Sequence, residues 1–195
     1  MIEEKNISVE AKKPLLKGFL KDVIDIVLLV VFVLLPIRLF IAQPFVVVGT
    51  SMYPTFYNGD YLIIDEISYR FESPKRGEVI VFRPPLAPTD HYIKRVVGLP
   101  GETVKVENNT VTITNKENPN GFVLAEKYIS SERNSSTTTV LGPNQYFVMG
   151  DNREVSSDSR VWGALNKDAI TGRVLTRLFP IPELSIWPGK ATFTN

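Results

Sequence analysis

The sequence has no cysteine and a single histidine, His91, among its 195 residues. The first absence removes disulfides, thiol nucleophiles and thiolate metal sites, and it leaves the redox compartment open because either environment tolerates a Cys-free chain. The second argues against a histidine-based zinc centre. An excess of one charge is also missing, with Lys+Arg at 22 against Asp+Glu at 21. There is therefore no electrostatic case for a nucleic-acid partner. Internal repeats are absent, and long apolar runs are scarce: the chain has one. Its length suits one ordinary domain plus an appendage, enough to bury a core without disulfides or metal.

That one run extends from Val23 to Ala42, interrupted only by Asp25, Pro36 and Arg38. As a helix of about 20 residues it spans roughly 30 Å, the thickness of a bilayer's hydrocarbon core. Lys5, Lys12, Lys13, Lys17 and Lys21 precede it. By the positive-inside rule the N-terminal side stays in the cytoplasm and everything after Ala42 lies outside. Arg38 sits where it can snorkel to the far interface. A cleavable signal peptide would have a shorter apolar core and an A-x-A site, whereas this segment ends Phe40-Ile41-Ala42-Gln43-Pro44. A buried helix of a soluble protein would leave a polar stripe, and Ile26 to Ile37 has none. The expected organisation is a cytoplasmic segment over 1–22, a transmembrane anchor over 23–42 and an outer domain over 43–195.

Beyond Pro44 the pattern turns to short β-like runs separated by Gly, Pro and Asn. Strands are expected at Phe45–Val48, Tyr61–Ile64, Val79–Phe82, His91–Val97, Tyr146–Met149 and Arg173–Phe179. Thr103–Glu107 and Thr110–Thr114 flank Asn108-Asn109, a pair suited to the positive φ angles of a tight hairpin. The stretch from about 108 to 144 is rich in Ser, Thr and Asn and reads as a small exposed insertion. The fold class is therefore mainly β: an N-terminal transmembrane helix, then an antiparallel β-sheet domain with a small β insertion.

Chemistry points first to Ser51, in Gly49-Thr50-Ser51-Met52-Tyr53-Pro54-Thr55, nine residues beyond Ala42. Nine extended residues reach at most about 30 Å, so this serine stays near the membrane surface. A serine nucleophile needs a base. Lys94 is the candidate, provided its pKa falls from about 10.4 to about 7–8, at a cost of about 4 kcal/mol. Strand periodicity puts Lys94 on one face with Tyr92 and Val96, where desolvation disfavours an ammonium. Ile93, Arg95 and Val97 take the other face. Taken separately, each residue has an ordinary reading, Ser51 as a turn residue and Lys94 as a snorkelling edge charge. They are also too far apart for a local S-x-x-K arrangement.

A third segment ties them together: Gly150-Asp151-Asn152-Arg153-Glu154-Val155-Ser156-Ser157-Asp158-Ser159-Arg160. With GTSMYPT (49–55), GDYLIIDEISY (59–69), RGEVIVFRPP (76–85) and HYIKRVVGLPGE (91–102), in this order after an apolar anchor, the chain resembles the bacterial type I signal peptidases, Ser/Lys membrane proteases. The resemblance implies Ser51 as nucleophile, Lys94 as general base, and the Ser156 hydroxyl as orienting the lysine amine. It implies a structural Asp158–Arg160 ion pair with Arg95 in the same support shell, and the Ser51 N–H as an oxyanion donor. It further implies Val47, Met52, Phe56, Tyr92 and Ile93 as walls of shallow pockets for small substrate side chains. Some members carry a serine two positions before the nucleophile as a further oxyanion donor; here Gly49 stands there.

The implied substrates are preproteins bearing signal peptides, and the implied surroundings a lipid bilayer, with no cofactor, metal or nucleic acid. The implied location is the bacterial cytoplasmic membrane, single-pass, with the N-terminus cytoplasmic and the catalytic domain extracytoplasmic. His91 is left as a loop-end residue; its alternative is a Ser/His/Asp triad with Asp90 or Asp151. The competing functions are a related Ser/Lys protease, such as a self-cleaving repressor or a mitochondrial inner-membrane peptidase, and a catalytically silent, membrane-anchored peptide-binding module. A repressor gives no reason for the anchor, and retention of Ser51, Lys94 and Ser156 together argues against the silent module.

Overall fold

The computed structural model describes residues 13–34, 42–131, 133–191 and 193. The chain divides into two units, Met1–Phe40 and Ile41–Asn195. In the first, helix α1 spans Lys13–Leu29 and continues into a π-helical turn over Val30–Leu34. Side chains 18–33 are all exposed. Among the described residues no helix is long and apolar enough to cross a membrane. Residues 35–41 of the expected anchor lie outside the described residues.

The second unit is built from strands β1 (Ala42–Val46), β2 (Tyr61–Asp65), β3 (Val79–Phe82), β4 (Tyr92–Gly98), β5 (Thr103–Glu107), β6 (Thr110–Thr114), β7 (Phe122–Val123), β8 (Ser136–Val140), β9 (Gln145–Met149), β10 (Leu165–Asn166), β11 (Ile170–Phe179) and β12 (Ser185–Ile186). One short helix, α2, covers Ser159–Trp162. The main sheet has the order β1-β2-β11-β3-β4-β9-β10, with β12 on β11. A second sheet has the order β7-β6-β5-β8. The strand pairings in both are antiparallel. The fold is mainly β, as the sequence implies.

Alternation along the strands explains why so many are apolar throughout. On β3, Val79 and Val81 pack into a cluster with Leu62, Ile64 and Val174, while Ile80 and Phe82 join Val96, Tyr146 and Val148 on the other face. A strand covered on both faces needs no polar alternation. Strand β9 divides its side chains in the same way. Tyr146 and Val148 enter the second of these clusters; Phe147 and Met149 enter a third with Val104, Val106, Val111 and Ile113 of the second sheet.

Two differences from the sequence reading have physical causes. Strand β1 lies earlier than expected, because Pro44 is no obstacle on an edge strand. The Ser/Thr/Asn-rich segment is not simply exposed: Val111, Ile113, Leu124 and Leu141 are buried, and Ser136–Val140 forms an edge strand beside β5. Threonine's branched Cβ favours the pleated strand as readily as valine's does. Between β5 and β6, Asn108 and Asn109 have φ of 47° and 66°, as a two-residue turn of the mirror-image type demands.

Candidate functional site

Ser51 lies in the β1–β2 connection. The base of this connection is closed by backbone bonds from Val47 N to Asp60 O and from Gly59 N to Val47 O, both 2.9 Å. Within it, Tyr53 N donates to Thr50 O at 3.2 Å and Phe56 N to Met52 O at 2.9 Å, folding residues 50–56 into a compact turn. Gly49 enters this turn at φ 93°, a left-handed value that explains glycine there. Its amide donates to Asn58 Oδ1 at 2.9 Å.

Lys94 stands on β4, in the interior of the main sheet between β3 and β9. Its Nζ donates to Ser51 Oγ at 2.7 Å and to Ile93 O at 2.9 Å, and lies 5.5 Å from the centroid of the Tyr92 ring. The side chain is 3% exposed. Burial holds its pKa down to about 8, against the opposing pull of the Asp158 and Asp151 charges. A lysine in that range offers a neutral amine near neutral pH.

The 150–160 segment forms the floor behind the turn. Asp158 and Arg160 pair through two bonds, of 2.8 and 2.9 Å, and Asp158 also accepts from Gly150 N at 3.1 Å. Burial pushes the Asp158 carboxyl up, but the Arg160 hydrogen bond and charge, together with the Ser156 hydroxyl and the Gly150 N–H, hold it below the usual carboxylate range. Arg95, fully buried, grips both oxygens of Asp151 at 2.8 and 2.6 Å and donates to the carbonyls of Gly77, at 2.9 Å, and Gly189. Asp151 Oδ2 also accepts from Thr55 Oγ1 at 2.5 Å. Asn152 binds the turn directly: its N–H reaches Ser51 O at 3.0 Å and its Nδ2 reaches Thr50 O at 3.1 Å.

Two expectations look different in three dimensions. Ser156 is buried with its hydroxyl toward Asp158 but makes no well-formed hydrogen bond among the described residues, and Lys94 takes the Ile93 carbonyl instead. Val47, Met52 and Phe56 do not line the cleft at Ser51; they turn inward beneath it, packed with Leu62, Ile64, Val79, Val81 and Val174. Tyr92 and Ile93 do line that cleft, which holds about 570 Å³ and is completed by Val48, Thr50, Lys94, Asp90, His91 and Val155. His91 is exposed and packs on the Phe45 ring at 5.2 Å. Asp151, a candidate triad acid, is occupied by Arg95.

Residues outside the expected set also support the turn. Arg153 is buried against Glu126 and donates to Gly150 O at 3.0 Å. The Tyr128 ring lies 4.0 Å from the Arg95 guanidinium, Ser130 Oγ donates to Tyr53 O at 3.1 Å, and Ser131 Oγ donates to Asn152 Oδ1 at 2.6 Å. Sequence offered no signal for residues 126–131, which sit in the stretch that reads as an exposed insertion.

Comparison with known proteins gives a consistent result. A protein named probable signal peptidase I-1 from Synechocystis sp. is 39% identical over 184 residues, 90% of this chain and 89% of that protein. Signal peptidase I T of Bacillus subtilis is 36% identical over 198 residues, 94% of this chain and 98% of that protein. A crystal structure of a signal peptidase I from Enterococcus faecalis V583 is 31% identical, covers 52% of this chain and 97% of its own, and has a TM-score of 0.44. The model of the family described as signal peptidase, peptidase S26, matches residues 20–179. Together with these relatives, that match establishes that the chain belongs to the signal peptidase family, peptidase S26.

Proposed function

We propose that this protein is a membrane-bound serine endopeptidase that removes N-terminal signal peptides from exported preproteins, with Ser51 as nucleophile and Lys94 as general base. The observation that carries this reading is the 2.7 Å contact between a buried, pKa-depressed amine and a serine hydroxyl at a cleft. Neutral Lys94 takes the Ser51 proton as Oγ attacks the scissile carbonyl, giving a tetrahedral oxyanion. The resulting ammonium protonates the leaving amine, and the acyl-enzyme forms. Water then attacks the ester with Lys94 again as base, releasing the signal peptide and regenerating Ser51. Two side chains balance every proton, so no metal or cofactor enters these steps. Ser156 accepts a hydrogen of the ammonium when it forms, and Asp158, Arg160 and Arg95 hold the floor in place. A silent binding module gives no reason to keep an amine desolvated against a serine.

Substrate enters as an extended chain between Val48–Thr50 and Asp90–Ile93, adding main-chain bonds to an open edge while small residues occupy shallow pockets. Tyr92 and Ile93 form a wall there; Val47, Met52 and Phe56 set its depth from below. Residues 1–22 are cytoplasmic, 23–42 anchor the chain in the bacterial cytoplasmic membrane, and 43–195 face the outside, with 108–144 as a small insertion. Support for the anchor comes from the exposure of every apolar side chain from Phe19 to Val33, a surface that water does not tolerate at this size.

The chemical reading is tested with detergent-solubilised protein and a preprotein whose signal ends in A-x-A. Ser51→Ala and Lys94→Ala should each abolish cleavage, and undiminished cleavage by either sinks the dyad. Topology is readily tested because the chain lacks cysteine. In intact cells a membrane-impermeant maleimide should label Asn134→Cys and spare Lys5→Cys; the reverse pattern overturns the orientation.

A further inference from the structure

The Ser51 N–H has no hydrogen-bond partner among the described residues. It is free to meet an oxyanion, and Gly49 contributes no side-chain donor beside it. Its direction therefore matters more here than in a site with two donors. A trans peptide is planar, so the Ser51 N–H points opposite to the Thr50 carbonyl of the same plane. Whatever grips Thr50 O also aims Ser51 N–H. Two donors grip it: Tyr53 N within the turn, at 3.2 Å, and Asn152 Nδ2 from outside, at 3.1 Å.

Asn152 is itself locked. An amide side chain can present either end, and here the choice is made by Thr50 O, which can only accept and so takes Nδ2. Oδ1 then faces Ser131, whose hydroxyl donates to it at 2.6 Å while accepting from Glu154 N at 3.3 Å. Ser131, on the β7–β8 connection, thereby anchors the far end of the Asn152 side chain and holds Nδ2 against Thr50 O. The backbone of Asn152 holds the next carbonyl as well, through its bond to Ser51 O at 3.0 Å. Asn152 thus bonds the peptide planes on both sides of the Ser51 Cα, the first of them jointly with Tyr53 N.

We propose that Asn152, locked by Ser131 of the second sheet's long connection, is a positioning residue that aims the Ser51 N–H at the oxyanion of the reaction. The inference rests on the reading of Ser51 as nucleophile. It gives Ser131 a task in catalysis beside the structural support that Glu126, Tyr128 and Ser130 lend the turn. Neither Asn152 nor Ser131 touches the reacting atoms; each acts through the backbone.

The test separates aim from binding. Asn152→Ala should lower kcat about 10- to 100-fold with KM changed less than about threefold, since an oxyanion donor acts chiefly in the transition state. Ser131→Ala should lower kcat about 5- to 10-fold, and Ser131→Thr, which keeps the hydroxyl, should restore it. Affinity for a peptide aldehyde, whose adduct with Ser51 carries the oxyanion, should fall by the same factor as kcat. Binding of the uncleaved peptide, measured in a Ser51→Ala background, should not change. Normal kcat in Asn152→Ala, unaltered aldehyde affinity, or a loss matched in peptide binding each overturns the proposal. If Asn152→Ala does not fold, the two Ser131 variants decide the question through the same kcat and aldehyde measurements. Cleavage by Ser51→Ala alone would instead remove the nucleophile reading and leave no oxyanion to aim at.

Discussion

Replacing Lys94 by methionine should abolish activity and make the protein more stable. The unfolded chain keeps the lysine proton up to its ordinary pKa of 10.5, whereas the folded chain gives it up at about 8. Between these values unfolding takes up a proton, so the native state is penalised below pH 8 and recovers as pH rises through the window. At 1.36 kcal/mol per pKa unit the penalty at pH 7 is about 3 kcal/mol, and by pH 10.5 it is below about 0.5. Methionine removes it at similar volume but forfeits bonds to Ser51 Oγ and Ile93 O, about 1 kcal/mol each. Burying the apolar thioether offsets part of that loss. The net gain at pH 7 is about 1–3 kcal/mol, or roughly 3–10 °C in Tm for a domain of this size. Urea unfolding followed by tryptophan fluorescence is the assay, since Trp162 and Trp187 both lie in the β unit. Comparing wild type with Lys94→Met at pH 7 and 10.5 cancels the titration of every other group. The stability difference should shrink by about 3 kcal/mol between the two. A variant less stable than wild type at pH 7, or a difference indifferent to pH, refutes the reasoning.

The same amine sets the pH–rate profile: kcat/KM should fall about tenfold per pH unit below about 8 and level off above it, because only the neutral lysine accepts the serine proton. A full rate maintained well below pH 8 in peptide cleavage assays would remove the base role from Lys94. Gly150→Ala should lower kcat about 100-fold, because its Cβ would lie 2.5 Å from Ser51 O and closer still to Ser156 Oγ, displacing the backbone of the nucleophile itself. Cleavage within tenfold of wild type would show that the Ser51 carbonyl tolerates movement.

Most of the strands were legible because they follow local rules. Asn108-Asn109 announced a hairpin whose strands, Thr103–Glu107 and Thr110–Thr114, have the bounds read from the sequence. The approach of Ser51 to Lys94 had no local signature, and only the order of five sequence blocks suggested it. Inward-turning Met52 and Phe56 were beyond reach: one helical turn puts both on the same side, but nothing in the sequence says whether that side faces core or cleft. The part played by Glu126, Tyr128, Ser130 and Ser131 was hidden for a different reason. Short polar residues mark solvent-exposed loops far more often than buried buttresses, and burial of Arg153 by Glu126 depends on a pairing across 27 positions.

The Arg95 guanidinium has a consequence for the order of events in folding. Its partners lie 18, 56 and 94 residues away, at Gly77, Asp151 and Gly189. Loops of that length are closed late, since their entropy is lost before their contacts are gained. Asp151, gripped by this guanidinium, also accepts from Thr55 of the nucleophile turn, so the turn is braced by a residue that lies about a hundred positions beyond it in the chain. A half-built chain therefore carries the serine and the lysine without yet being a protease, and competence to cut arrives together with completion.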